Sequence, residues 1–206
     1  MFCTKKLEIG GVVMSGMSKE TMLFALEQLN EKLKENNQKG EITMYGGAVM
    51  SLVLDVRDST NDIDAMFYPT DCIYQYAREI RQKSTLSLPV NWINDSVHIY
   101  VESSHSSDIR EYISFSNLVI NAASPEYMLA MKAYASRIDE SSKDVSDLEF
   151  LVNYLDVKNL NGAMNVVLKY FHEKFIKRKT VEVLGTILNS ENYEIDFWIQ
   201  YLGEKI

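Results

Sequence analysis

The sequence predicts an α+β fold (mixed α/β), with a small mixed sheet and flanking helices followed by a helical C-terminal bundle. Short β-like runs mix with helical stretches over residues 1–121, whereas residues 124–202 read as nearly continuous helix. The composition fits a chain with a sizeable core, because 46% of the 206 residues are hydrophobic and 11% are aromatic. We therefore expect an α/β core over residues 1–123 and a helical region over residues 124–206 packed on it.

The first half of the chain combines predicted helices with short strands. Ser18 is a suitable N-cap for the first helix, in which apolar residues recur at helical spacing. Pro69 ends a strand that alternates briefly between apolar and polar residues. The predicted helices cover residues 18–36, 48–56 and 71–83, the predicted strands cover 42–45, 62–69, 98–103 and 116–123, and the predicted loops include 57–61 and 89–96.

The second half contains predicted helices separated by short polar breaks. Ser124-Pro125-Glu126 is a typical helix start, because Ser caps, Pro suits the first helical position and an early Glu complements the helix dipole. The predicted helices cover residues 125–138, 144–155, 159–172, 174–189 and 191–202.

The net charge of the chain limits the classes of partner that we expect it to bind. The formal net charge is −8, from 21 Lys and Arg against 29 Asp and Glu, which argues against a dedicated nucleic-acid coat protein. We see no DNA-binding motif.

A local basic run, KFIKRK, lies at residues 174–179. It is interpreted either as a solvated helix face or as a patch that binds RNA phosphates or an acidic partner protein.

Nothing in the sequence indicates a membrane or secretory protein. No apolar run approaches the roughly 18–20 residues that a membrane span needs, and the N-terminus does not read as a signal peptide. Cys3 and Cys72 fit neither a metal-binding spacing nor a disulfide framework, which favours reduced thiols. We therefore expect a cytoplasmic protein.

The pattern with the clearest chemical content joins two glycines to two aspartates. Gly46-Gly47 lie between a predicted strand and a predicted helix, and fourteen residues separate Gly47 from Asp62-Ile63-Asp64. Carboxylates at i and i+2 on a strand point to the same face, where a hard divalent cation relieves their repulsion. Glycines before a helix allow a ligand to approach the backbone, and the helix N-terminus favours phosphate. Each half alone is also compatible with a simple turn or a solvated strand end.

Together, the two halves resemble a known family. The run GGAVMSLVLDVRDSTNDIDAMF resembles the nucleotidyltransferase fold of the DNA polymerase β superfamily, and most closely the abortive-infection type IV toxin nucleotidyltransferases and their uncharacterised relatives. A second block, SPEYMLAMKAYASRIDESSKDVSDLEFLV, resembles the downstream helix with a Lys, the break and the Asp-x-x-Asp helix of that family. The resemblance covers roughly residues 40–155.

The resemblance implies roles for the glycines and the aspartates. Gly46 and Gly47 would cradle the nucleotide phosphates. Asp62 and Asp64 would be catalytic and would bind Mg²⁺, with Mn²⁺ as an equally suitable hard cation.

The resemblance also implies roles for four other residues. Lys132 would contact phosphate as a point charge, and Asp147 would position Lys132 or the attacking hydroxyl. Arg57 and Thr60 match residues that commonly precede the aspartates in the family and are assigned to nucleotide binding. Arg57 could instead pair with an acidic neighbour, and Asp144 could serve as a helix N-cap.

One feature of the family has no obvious counterpart. Full two-metal nucleotidyltransferases use a third carboxylate on a later strand, and the expected strand here, SNLVINAA, offers Asn121 and no acid. Asp95 and Glu102 are the alternative candidates. Without such a residue, the chain could bind a nucleotide and not turn it over.

The leading interpretation is therefore a Mg²⁺-dependent nucleotidyltransferase. It would transfer a nucleotidyl group from an NTP to a hydroxyl on RNA or protein, with a tRNA 3′ end among the candidate acceptors. The resemblance also implies a toxin–antitoxin component with an antitoxin or another protein as partner. An aminoglycoside-type small-molecule acceptor would use the same core chemistry. The alternative is a catalytically inactive nucleotide-binding or protein-interaction domain on the same fold.

Overall fold

The computed structural model of the chain describes residues 16–85, 87–99, 101, 108–135 and 143–203. The strands are β1 (Met17–Ser18), β2 (Gly40–Met44), β3 (Ser59–Thr60), β4 (Ile63–Tyr68), β5 (Ile93–Asn94), β6 (Ile109–Ser114) and β7 (Leu118–Ala123). The helices are α1 (Lys19–Glu35), α2 (Gly46–Ala48), α3 (Thr70–Lys83), α4 (Pro125–Ala135), α5 (Lys143–Tyr154), α6 (Leu160–Tyr170), α7 (Arg178–Ile187) and α8 (Asn192–Gly203).

A five-stranded mixed sheet with the strand order β5-β4-β2-β7-β6 lies in the first half of the chain. β2 is antiparallel to β4 and parallel to β7, while β5 is parallel to β4 and β6 is antiparallel to β7. β1 and β3 form a separate two-stranded sheet. The α+β fold class predicted from the sequence is confirmed.

Alternation along β4 decides which of its side chains reach the candidate site. Ile63, Ala65 and Phe67 are buried. Residues at even positions face the other side of the sheet, where Met66 and Tyr68 are exposed. A strand that buries one face must therefore present Asp64 on the opposite face.

The predicted helix 48–56 has a different extent and geometry. The helical segment begins at Gly46, because α2 continues directly into a π-helical turn at Val49–Val53. Asp55 follows with a positive φ of 58°. The wider π turn buries Val49, Met50 and Ser51, as expected for a run that is apolar on most sides.

Two predicted loops contain short strands. Within 57–61, β3 pairs with β1 so that Met17 lies opposite Thr60. Within 89–96, β5 pairs with the start of β4. Two-residue strands carry no periodicity, and they exist only through hydrogen bonds to a partner distant in sequence.

The predicted strand 98–103 is wrong where the structure describes it, since Ser96–Ile99 form a 3₁₀ helix. Residue 100 and residues 102–107 lie outside the described residues. The following strand, β6, was not predicted, because its sequence IREYIS mixes charged and apolar residues without clean alternation.

The helical C-terminal region begins as predicted. The backbone N–H of Tyr127 donates to Ser124 Oγ over 3.2 Å, which caps α4. The predicted helix 125–138 is described as far as Ala135, and residues 136–142 lie outside the described part. The predicted helix 174–189 is shorter, because a 3₁₀ turn at Glu173–Phe175 and an extended Ile176 precede α7.

The C-terminal helices pack directly against the sheet region. The Tyr45 and Tyr127 rings meet edge to face with centroids 6.1 Å apart. The Tyr170 hydroxyl donates to Asp108 Oδ1 over 2.9 Å. Buried apolar residues from both halves form one hydrophobic cluster. Among the described helices, none is long and apolar enough to cross a membrane.

The N-cap of α6 offers a test of the helical region. Asn159 Oδ1 accepts the backbone N–H of Gly162 over 2.9 Å. We expect Asn159→Ala to lower the free energy of unfolding by about 1 kcal/mol, because a helix N–H loses its partner. The matched control is Asn153→Ala on the exposed side of α5, where alanine should be neutral or stabilise by up to about 0.5 kcal/mol. Urea unfolding of both variants measures the difference, and equal effects would contradict the capping role.

Candidate functional site

Two carboxylates lie at the start of β4. Asp62 immediately precedes the strand and Asp64 is its second residue, so both point to the same side. Both are partly buried. Burial raises the pKa of Asp62 above its ordinary value. Burial, and then the charge of Asp62, raises the pKa of Asp64. The pair therefore carries unfavourable electrostatic energy that a cation would relieve.

A third polar residue, Asn94, faces this pair. The parallel pairing of β5 with β4 places Asn94 opposite Asp64. Its Nδ2 donates to Asp62 Oδ2 over 3.2 Å, while its Oδ1 accepts the backbone N–H of Ser96 over 3.0 Å. Sequence reasoning missed this residue. The only indication in the sequence of a strand near Asn94 was the apolar pair Trp92-Ile93, which precedes a polar turn.

Gly46 lies in direct contact with one of the carboxylates. Its φ is +57°, a left-handed conformation that glycine adopts without strain. A Cβ at this position would come within 2.9 Å of Asp64 Oδ2. Glycine is thus required here both by the backbone conformation and by the close approach of the turn to β4.

Gly47 makes the equivalent contact with β3. A Cβ on Gly47 would overlap the hydroxyl of Thr60, which is itself buried, and would lie 3.4 Å from a terminal nitrogen of Arg57. The absence of both Cβ atoms lets the chain pass close to Thr60 and Asp64. The glycine pair therefore has a packing role in addition to any role towards a ligand.

A buried ion-pair network joins the two predicted blocks. Asp147, on α5, is only 1% exposed. Arg57 binds it in a bidentate manner, with Nε donating to Oδ1 over 2.7 Å and a terminal nitrogen donating to Oδ2 over 2.5 Å. Lys132 Nζ, from α4, lies 2.6 Å from the same Oδ2. Two cations therefore compensate one buried carboxylate, as a buried charge requires.

Asp144 completes the surroundings of Lys132. Its Oδ1 accepts from Lys132 Nζ over 2.9 Å, and it lies one turn before Asp147 on the same face of α5. The Asp144 side chain is 53% exposed, whereas the Lys132 side chain is only 10% exposed. Asp144 is the second residue of α5, where it contacts Lys132.

Asp64 lines one cavity of about 190 Å³ together with Lys132 and Asp144. One side is polar and includes Asp64 and Lys132. The other side is apolar. The lining residues are Gly46, Asp64, Ser96, Val97, Met128, Met131, Lys132, Ala135 and Asp144. A carboxylate and an ammonium group therefore face the same space beside an apolar wall.

All eight predicted site residues lie within this connected arrangement. Gly46 contacts Asp64, Gly47 contacts Thr60 and Arg57, and Asp147 links Arg57 to Lys132. Of the two alternatives for Arg57, the structure contains the pairing with an acidic neighbour. Asp62 joins the arrangement as the neighbour of Asp64 and the acceptor for Asn94.

The expected location of a third carboxylate is wrong. β2 lies between β7 and β4, and Asn121 on β7 donates to Glu41 over 2.6 Å instead of approaching the aspartates. Asp95 accepts from the Tyr74 hydroxyl over 2.6 Å, on the α3 side. Glu102 lies outside the described residues. Strand order, which the sequence does not reveal, brings Asn94 next to the pair instead.

The donor set at the pair fits a magnesium-like cation. Mg²⁺ is commonly held by one or two carboxylates, with water and substrate phosphates as its other ligands. Asp62 and Asp64 supply two such carboxylates in a partly desolvated position. In the described part of the chain, no group of three or more His, Cys, Asp or Glu residues is placed to hold a metal.

The basic run 174–179 is partly neutralised by neighbouring acids. Arg178 Nε donates to Glu182 over 2.6 Å. This bond, the charge of Glu182 and the charge of Asp196 raise the pKa of Arg178. Lys174 lies over the ring of Phe175 at 4.8 Å. These contacts favour the solvated-face interpretation of the run.

Comparisons with protein-family models, with curated proteins and with solved structures found no match to this chain. The candidate site therefore rests on the geometry described above.

The ion-pair network predicts unequal roles for two neighbouring aspartates. Asp147→Asn should lower the free energy of unfolding by about 3–5 kcal/mol, because it leaves Arg57 and Lys132 without their buried counter-charge. Asp144→Asn removes a half-exposed partner and should cost less than about 1 kcal/mol. Chemical denaturation of the two variants checks this. Equal losses would contradict the central role of Asp147.

The raised carboxyl pKa values predict how metal-free stability depends on pH. The folded protein holds protons at Asp62 and Asp64 more tightly than the unfolded chain does. The free energy of unfolding should therefore fall as pH rises from the ordinary carboxyl pKa through the raised folded values.

In EDTA at neutral pH, Asp64→Asn should have a higher Tm than wild type, because one ionised group and its repulsion are gone. Thermal unfolding across acidic to neutral pH measures both effects. A lower Tm for the variant would contradict the unfavourable electrostatics of the pair.

Proposed function

We propose that this chain is a nucleotidyltransferase that uses Mg²⁺, or Mn²⁺, to transfer a nucleotidyl group from an NTP to a hydroxyl on RNA or protein, with pyrophosphate as the leaving group. A single observation carries the proposal. The Asp64 carboxylate, the glycine turn at Gly46 and the mostly buried side chain of Lys132 line one cavity of about 190 Å³. A metal-bound triphosphate needs both a site for its cation and a positive group for its phosphates.

Asp62 and Asp64 would hold the cation. They form a pair that shares one side of β4. Burial raises both pKa values, and at Asp64 burial and the charge of Asp62 outweigh the opposing effects of Asn94 and Lys132. When bound, Mg²⁺ neutralises the triphosphate charge and supplies Lewis-acid stabilisation at the transferred phosphorus. The protein contributes a fixed separation and orientation of the two carboxylates.

Lys132 would contact the phosphates. Its ammonium group is held by Asp147 and Asp144, which limits its conformations before a ligand arrives. A preorganised positive group requires little rearrangement when negative charge develops on the phosphate oxygens. Arg57 would act through Asp147, because the two form a bidentate pair.

The apolar wall of the cavity would take the nucleobase. Met128 and Met131 lie on α4 one turn apart, and Val97 follows β5. Thioether sulfur packs favourably against aromatic rings, and methionine adapts to differently shaped partners. Such a wall favours binding of a base by its flat face, with the phosphates directed towards Gly46 and Lys132.

The proposed acceptor of the nucleotidyl group is the one that the family resemblance implies. A tRNA 3′ end or a protein hydroxyl would be the acceptor, and the protein would be the toxin component of a toxin–antitoxin pair with an antitoxin as partner.

A second function has a specific observation in its favour. An amide, Asn94, faces the aspartates from the neighbouring strand, and among the described residues no third acid joins them. A nucleotide-binding or protein-interaction domain without turnover would have this arrangement. Such a domain would bind metal–NTP and transfer no label.

Label transfer and nucleotide binding together test the proposal. Each α-labelled NTP is incubated with the protein, total RNA and Mg²⁺, and transfer of the label is measured. Binding of each NTP to the protein is measured separately by thermal shift. We expect transfer from at least one NTP, its abolition in Asp64→Asn, and a loss of about 10²-fold or more in kcat/KM for Lys132→Gln. The matched control is Lys34→Gln, an exposed lysine on α1, which should retain activity.

The possible outcomes separate the two functions. Metal-dependent NTP stabilisation without label transfer to RNA or to protein would favour the binding domain. At 100 times its Kd, a ligand should add about 2.7 kcal/mol of stability. Neither stabilisation nor transfer would overturn both functions, and full activity of Asp64→Asn would overturn the site assignment.

A further inference from the structure

The side of the aspartate pair next to β5 is occupied by an amide rather than an acid. The strand register sets Asn94 opposite Asp64, and its Nδ2 donates to Asp62 Oδ2 over 3.2 Å. The backbone N–H of Ser96 donates to Asn94 Oδ1 over 3.0 Å. This bond determines the orientation of the amide, because the reversed amide would place two donors against each other.

The amide therefore acts on the carboxylates in two ways. Its N–H occupies a lone pair of Asp62 Oδ2 and fixes the direction of that carboxylate. It also presents a partially positive hydrogen on the β5 side of the pair, which disfavours a cation on that side. The amide also hydrogen-bonds Asp64, and that carboxylate lines the cavity from which a cation would approach the pair.

The charges of the residues around the aspartate pair also favour one cation over two. The pair supplies two negative charges, which one divalent cation balances. Lys132 supplies a further positive charge near Asp64, since its charge acts on that carboxylate. Among the described residues, no third acid is placed to join the pair. A second divalent cation would leave the site with an uncompensated positive charge.

We propose that Asn94 is a positioning residue that fixes Asp62 for a single divalent cation and closes the β5 side of the site to a second one. The proposal rests on the metal-dependent function proposed above. It adds that the protein itself holds one cation, and that an amide decides this number.

Mn²⁺ binding to the full chain in the absence of nucleotide tests the proposal. Stoichiometry and affinity are measured by calorimetry and by the loss of the free-Mn²⁺ signal in electron paramagnetic resonance. Wild type should bind one Mn²⁺. Asn94→Ala should bind one Mn²⁺ about 10-fold more weakly or worse, because a partner that orients a ligand is lost. Asn94→Asp should bind two ions, because a carboxylate replaces the amide donor.

Matched controls separate these effects from general ones. Asn91→Ala and Asn91→Asp make the same substitutions at an exposed position three residues earlier and should leave Mn²⁺ binding unchanged. Asp64→Asn should abolish binding. Circular dichroism and Tm confirm that each variant is folded, and metal affinity is compared only among folded variants.

Each result has one consequence. Two ions bound by wild type would overturn the single-cation site. One ion bound equally well by wild type and Asn94→Ala would overturn the positioning role and leave the proposed function intact. No Mn²⁺ bound by wild type would overturn this proposal together with the metal-dependent function. A single ion bound by folded Asn94→Asp would overturn the claim that the amide sets the number of cations.

Discussion

The arrangement of the candidate site depends on the buried carboxylate of Asp147. A charge that is 1% exposed is tolerated only when it is paired, so Arg57 and Lys132 must both reach it. These residues come from α5, from the loop after the π-helical turn, and from α4. One carboxylate thereby fixes three separate parts of the chain, and the cavity between α4 and the glycine turn takes its shape from that junction.

Close backbone packing is the second constraint, and it explains the chemistry of the aspartates. The glycine turn lies so near β4 that a Cβ on Gly46 would meet the Asp64 carboxylate. Burial raises the pKa values of both aspartates, and the charge of Asp62 adds to the effect at Asp64. Packing that stabilises the sheet thus leaves two acids in a position that favours a bound cation. The unfavourable electrostatics are local, and the buried apolar cluster offsets them.

Elements with strong local patterns could be predicted from the sequence. The long amphipathic helices α1 and α3 and the apolar strand β7 were predicted close to their observed positions, because their periodicity extends over several residues. The short strands β3 and β5 were not predicted, because two residues carry no period. Residues 98–99 were predicted as the start of a strand, yet a 3₁₀ turn forms there.

The sequence by itself determined that Asp62 and Asp64 share one face of a strand, since the alternation of side chains is a property of the backbone alone. It also determined that a glycine turn precedes them and that the C-terminal region is helical. Only the tertiary structure decided that Asn94 faces the pair and that Asp147 binds Arg57, ninety positions away. The physical reason is that strand order and buried ion pairing depend on which surfaces pack together, and no local pattern along the chain records that.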